Sequence, residues 1–133
     1  MNERRSPPVL AAHVLTAHVL TAHVLTAFAR LRCHGQRDLS FAELFCADGF
    51  YTLLAAHFGA SRATGYDDDR EGHLANAERM RELLGLGQAE FRRTRVEAIP
   101  ASERAAVVAN VGGLYHVDDP EAVLDQSYRM ADH

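Results

Sequence analysis

From residue 39 onward the apolar positions fall into short blocks whose character alternates. "LSFAELFCA" (39–47) is compact and rich in Phe and Leu, and reads as a buried strand. "GFYTLLAAHFGA" (49–60) reads as a helix ending at Gly59, and "RATGYD" (62–67) as a second strand. "DREGHLANAERMRELLGLG" (69–87) sets Leu74, Ala77, Met80, Leu83 and Leu84 at helical spacing and stops at Gly85 and Gly87. "AEFRRTRVEAI" (89–99) is a less regular third strand, and "RAAVVANVGGLY" (104–115) carries a fourth that ends near Asn110. Asp119 before Pro120 is an N-cap and first-turn pair, opening a helix over "DPEAVLDQSYRM". Strands alternating with helices predict a parallel, doubly wound α/β sheet with right-handed crossovers. Such sheets bind ligands outside the carboxyl ends of their strands, at the switch point beside the first strand. The loops after the four strands are therefore where chemistry is sought.

The N-terminal stretch follows a different rule. "VLAAHVLTAHVLTAHVLTAFA" (9–29) contains HVLTA three times, and Ser6 with Pro7 makes a helix start, so a helix is expected from about Pro7 to about Arg32. Five residues at about 100° each advance the helix face by about 140°, so successive units do not share a side. His13, His18 and His23 then point three ways and cannot converge on a metal, which needs i,i+4 spacing. The near-identical units look like a tandem duplication that lengthened one helix, apolar enough that it must be buried or pair with another chain. Arg4, Arg5 and the uncharged run superficially suggest a signal peptide or a span. Three histidines and three threonines make the run too weakly apolar for one, and no membrane association is expected.

Bulk composition adds limits. A length of 133 residues suits one compact unit, with residues 1–37 as the repeat helix and 38–133 as the α/β part. The net charge of −4 provides no bulk attraction for nucleic acid. All 14 basic residues are arginine, from which no function is drawn. Cys33 and Cys46 form no CxxC, so neither a disulfide framework nor a zinc site is indicated, and a reducing cytoplasm is the default location.

Two loops carry a joint signal. After the first strand comes Glu43-Leu-Phe-Cys-Ala-Asp-Gly49, where small residues allow a sharp turn that exposes amides at a helix start. After the second comes Gly65-Tyr-Asp67, backed by Asp68 and Asp69. A carboxylate about 20 residues beyond a glycine turn suits a ribose diol.

With these residues the chain resembles the class I S-adenosylmethionine-dependent methyltransferases. Their first motif is an acid followed by G-x-G-x-G, matched here by Glu43, Ala47 and Gly49. "GASRATGYD" is similar to the stretch leading to the ribose-binding acid, and "LANAERMRELLGLG" to the helix after it. "VVANVGGLYHVDDPEAVL" resembles the fourth-strand region of a subset with a G-L-Y-H-x-x-x-P motif, which includes enzymes modifying the wobble uridine of transfer RNA and small-molecule methyltransferases. The resemblance covers residues 38–133 and implies a Rossmann-like sheet of about four strands in the order 3-2-1-4. It implies S-adenosylmethionine as cofactor, with Glu43, Ala47 and Gly49 near its methionine part. It further places Asp67 or Asp68 on the ribose, Asn110 to Gly113 (with Gly112) beneath the sulfonium, and Tyr115 and His116 on the catalytic, acceptor side.

The departures are specific. Phe45 replaces the first glycine, and after the third strand Arg95 stands where the family often has an acid, leaving Glu97 as the acceptor for an adenine amino group. The family domain continues through three more strands, so the chain is expected to be a truncated form whose open edge favours a homo-oligomer. The acceptor would be a small molecule or an RNA base. The rival expectation is a non-catalytic, self-associating module. A dinucleotide-binding half-domain is disfavoured by the lack of a clean G-x-G-x-x-G.

Overall fold

The computed structural model describes residues 7–131, with side chains from Val19 onward. Its elements are α1 (Pro7–Cys33), β1 (Ser40–Leu44), α2 (Phe50–His57), β2 (Arg62–Asp67), α3 (Leu74–Leu84), β3 (Ala89–Arg93), β4 (Val107–Asn110) and α4 (Pro120–Met130). Single 3₁₀ turns lie at Val96–Ala98 and Leu114–His116. All strand pairs are parallel, in the order β3-β2-β1-β4. The central strand is β1, buried along its whole length, with Glu43 beside Gly65 on one side and Ala109 on the other.

The two-residue period of a strand sorts β1 between two cores. Phe41 points into a cluster with Leu53, Ala55 and Ala56 of α2 and with Val24 and Phe28 of α1. Ala42 and Leu44 point the other way, against Tyr66, Val96, Ile99, and Val123 and Met130 of α4. The repeat helix thus shares the core of the sheet through its C-terminal end. Ser6, its expected cap, and the side chains of His13 and His18 lie outside the described residues, while His23 is exposed. Among the described residues no helix is long and apolar enough to cross a membrane.

Several boundaries differ from the sequence expectation for local reasons. The first strand ends at Leu44, not in the small residues to 47, because Phe45 and Ala47 both turn to positive φ. The third strand stops at Arg93: Thr94 N–H still reaches Asp67 O at 2.9 Å, after which the chain coils into the turn at Val96. The helix anticipated from 69 begins at Leu74, whose N–H donates to Asp69 Oδ1 at 3.0 Å across the intervening loop. The last helix starts as its residues dictate, with Asp119 Oδ1 accepting from Ala122 N–H at 3.0 Å and Pro120 in the first turn.

Candidate functional site

The turn after β1 repeats one backbone shape at every second residue. Phe45 has φ 58°, Ala47 φ 48° and Gly49 φ 75°. Only glycine takes this region without steric penalty, and each of the other two residues held there costs about 1–3 kcal/mol. The neighbouring strand helps to hold the turn. Cys46 N–H donates to Tyr66 O at 2.9 Å, and Ala47 N–H donates to Asp67 Oδ2 at 3.0 Å. Asp67 Oδ1 accepts from Asp69 N–H at 2.7 Å, so one carboxylate fastens the β1 turn to the β2 turn. Two of the roughly four acceptor positions of that carboxylate are used in this way, which leaves acceptor capacity at the strand ends. Asp68 is engaged elsewhere: Oδ1 accepts from Arg70 N–H at 3.1 Å and Oδ2 pairs with its guanidinium at 3.2 Å.

A cleft of about 800 Å³ opens outside these strand ends. Of the residues singled out in the sequence, Ala47, Asp67, Asp68, Gly112, Tyr115 and His116 line it, and Glu43, Gly49 and Asn110 do not. Gly49 instead permits close packing. A Cβ there would collide with the Phe91 ring on β3 and stand 3.2 Å from Ala77 on α3, so the residue lets α2 start tight against its neighbours. Tyr115 stands 77% exposed on the rim, its ring 4.0 Å from that of His116.

Glu43 lies behind the turn with only 4% of its surface exposed. Burial pushes its carboxyl up to about 7, against the two hydrogen bonds that Thr52 donates from Oγ1 (2.6 Å) and N–H (2.8 Å), and the charges of Asp48 and Asp67 push the same way as burial. Burial likewise raises the Cys46 thiol far above its ordinary value, which keeps it from acting as a thiolate. At the end of β4, Asn110 Nδ2 donates to Ser127 Oγ at 3.5 Å, while its Oδ1 is buried with no hydrogen-bond partner. An orphaned acceptor of this kind is costly in a folded chain and calls for a ligand or water donor.

The β2–α3 loop contributes lining residues that the sequence reading passed over: Arg70, Glu71 and His73. Their only signal was the polar run "DDDREGH", which also describes any solvated loop. Asp118 and Asp119, before α4, complete the rim, and Glu97 faces the cleft from the β3 side.

No protein-family model and no curated protein sequence matches the chain. Solved structures do. The N-terminal domain of EvdMO1 with SAH bound aligns at a TM-score of 0.67 and 28% identity, over 81% of this chain and 45% of that one. Magnesium protoporphyrin IX methyltransferase (ChlM) from Synechocystis PCC 6803, with bound SAM, aligns at 0.67 and 20% identity, over 84% and 54%. WbdD, a bifunctional kinase-methyltransferase, aligns at 0.68 and 21% identity, over 84% and 27%. The chain has the methyltransferase fold. Its parallel order 3-2-1-4 with flanking helices is the part of that Rossmann-like fold on which the strand-end cleft is built. The chain spans 27–54% of the length of these three proteins.

Proposed function

We propose that this chain binds S-adenosylmethionine in the strand-end cleft and serves methyl transfer to a small-molecule acceptor. The observation that carries the reading is the β1 turn, where three alternate residues adopt a glycine-type backbone although two of them are Phe and Ala. A turn of that shape, tied to the β2 acid, brings the backbone of residues 45–47 to the edge of the cleft where the first and second strands end. When bound, the cofactor supplies an electrophilic methyl group on a sulfonium.

The residues fit such a molecule. Asp67, which lines the cleft, retains acceptor capacity for a ribose diol. Glu97 can accept from an adenine amino group at the β3 side, and Tyr115 and His116 line the same cleft, which supports assigning them to the acceptor side. Methyl transfer needs in-line placement and, for some acceptors, a base, a role open to His116.

Charge favours a small molecule over RNA. Six carboxylates line the cleft, and its two arginines already face two of them: Arg70 is 3.2 Å from Asp68 and Arg95 3.6 Å from Glu97. Neither is left to neutralise a phosphate backbone, which is the main source of nucleic-acid affinity. Calorimetric titration with S-adenosylhomocysteine should show saturable binding, and no heat at ~1 mM ligand would overturn the proposal. In a filter assay at ~0.15 M salt, transfer RNA should not be retained, and retention would move the acceptor to RNA.

A second reading has its own support. On α1 only Val24 and Phe28 of the described side chains are buried, and Val19 is 47% exposed. We accordingly propose that the chain self-associates through this helix, as an enzyme or as a non-catalytic module. Sedimentation equilibrium should show a concentration-dependent dimer; a monomer across the accessible range would remove this reading.

A further inference from the structure

We infer that the Phe45 ring occupies part of the crevice into which the amino-acid half of the cofactor would reach, and so sets how tightly that half is held. The inference rests on the S-adenosylmethionine reading above. It adds a specificity-determining residue at the position where that family has a glycine.

Strand order changes direction between β1 and β4, so the ligand crevice of this sheet runs between the turns that follow those two strands. Phe45 leaves the first turn and reaches the second. A Cβ built on Gly113 would collide with three carbons of its ring, so the ring lies directly against the β4 turn. It lines the cleft together with Val111 and Gly112, and its inner edge packs on the cluster around Leu44 and Tyr66. The side chain therefore bridges the crevice from wall to wall.

The backbone reveals that this placement is held under strain. A bulky residue at φ 58° is a steric outlier, whereas glycine would adopt the same turn freely. The contacts of the ring with Gly113 and the core hold Phe45 in that conformation. A ligand that enters the crevice must displace the ring and give up those contacts, so its apparent affinity falls by the fraction of molecules with the ring aside. Asp67, at the β1–β2 side, lies away from the ring's path to Gly113. The adenosine half of the ligand should accordingly be indifferent to Phe45.

The test uses the full chain and two probes, S-adenosylhomocysteine and adenosine, with the variants Phe45→Ala and Phe45→Gly. Alanine removes the ring but leaves a side chain that disfavours this φ; glycine removes both the ring and the penalty. Both variants should bind S-adenosylhomocysteine on the order of tenfold more tightly than the parent chain, with adenosine affinity within about twofold. Unchanged or weaker S-adenosylhomocysteine binding in both would overturn the inference. So would an equal gain for adenosine, which would indicate general loosening of the loop. Loss of a cooperative thermal melt in both variants would make the ring a core element and overturn it as well. Should neither the parent nor any variant bind S-adenosylhomocysteine, the cofactor reading itself fails, an outcome distinct from a parent that binds and variants that gain nothing.

Discussion

Asp67→Ala is expected to abolish measurable S-adenosylhomocysteine binding and to lower the melting temperature by roughly 10 °C. The two effects have one origin. The carboxylate accepts from Ala47 N–H at 3.0 Å and from Asp69 N–H at 2.7 Å, and Ala47 and Asp69 are both in left-handed conformations. Hydrogen bonds to a charged acceptor contribute about 1.5–3 kcal/mol each, so their joint loss removes about 3 kcal/mol and unfastens the β1 turn from the β2 turn. The ligand would lose its diol partner and the organised β1 turn together. Asp67→Asn keeps an acceptor oxygen and should fall between the two. Asp68→Ala breaks an exposed pair with Arg70 and an exposed hydrogen bond from its N–H, for which about 1 kcal/mol is expected. Calorimetry and a thermal melt on the three variants check the order. A melt of Asp67→Ala that coincides with the parent would show that the carboxylate does not hold the turn.

The second large effect concerns Glu43 and pH. Its carboxyl titrates near 7 in the folded chain and near 4.5 when unfolded, so between those values the folded state holds a proton that the unfolded state has released. Stability from this group is therefore fully present below pH 4.5 and is lost as pH rises through 7. The gap corresponds to about 3 kcal/mol, because burying the ionised carboxylate is not compensated by the hydrogen bonds from Thr52. Glu43→Gln keeps the shape and an acceptor for Thr52 but cannot ionise. Its stability relative to the parent should climb with pH, reaching an advantage of about 3 kcal/mol near pH 8. Urea denaturation at about pH 5, 6.5 and 8, which bracket the titration, measures this as a widening gap between the two midpoints. Parallel curves would mean that Glu43 is ionised, and compensated, throughout.

What the sequence revealed follows from which forces are local. The strand Arg62–Asp67 and the start at Asp119–Pro120 were legible because a buried run and a cap–proline pair act within a few residues. The order of the strands was legible through the resemblance of the loops. The backbone at Phe45 was not, since nothing in a Phe codon position predicts a conformation that Phe disfavours; the strain is imposed by Gly113 and the core around it. Gly49 is expected from its motif to approach the cofactor, yet what it meets in the fold, Phe91, is about 40 residues away in the chain and invisible to any local pattern. The state of Glu43 was equally hidden, because burial belongs to the sheet and not to the residue.

The repeat helix has a consequence for how such a chain can change over time. Its described contacts with the core run through Val24, Phe28 and Leu31, near its C-terminal end. Inserting or deleting one HVLTA unit upstream would turn everything before it by about 140° and shift it by about 7.5 Å along the axis. The docked segment would keep its register, because that register is set from the sheet outward. Copy number at this end would thus set the reach of the helix while Val24, Phe28 and Leu31 keep their seats against the sheet.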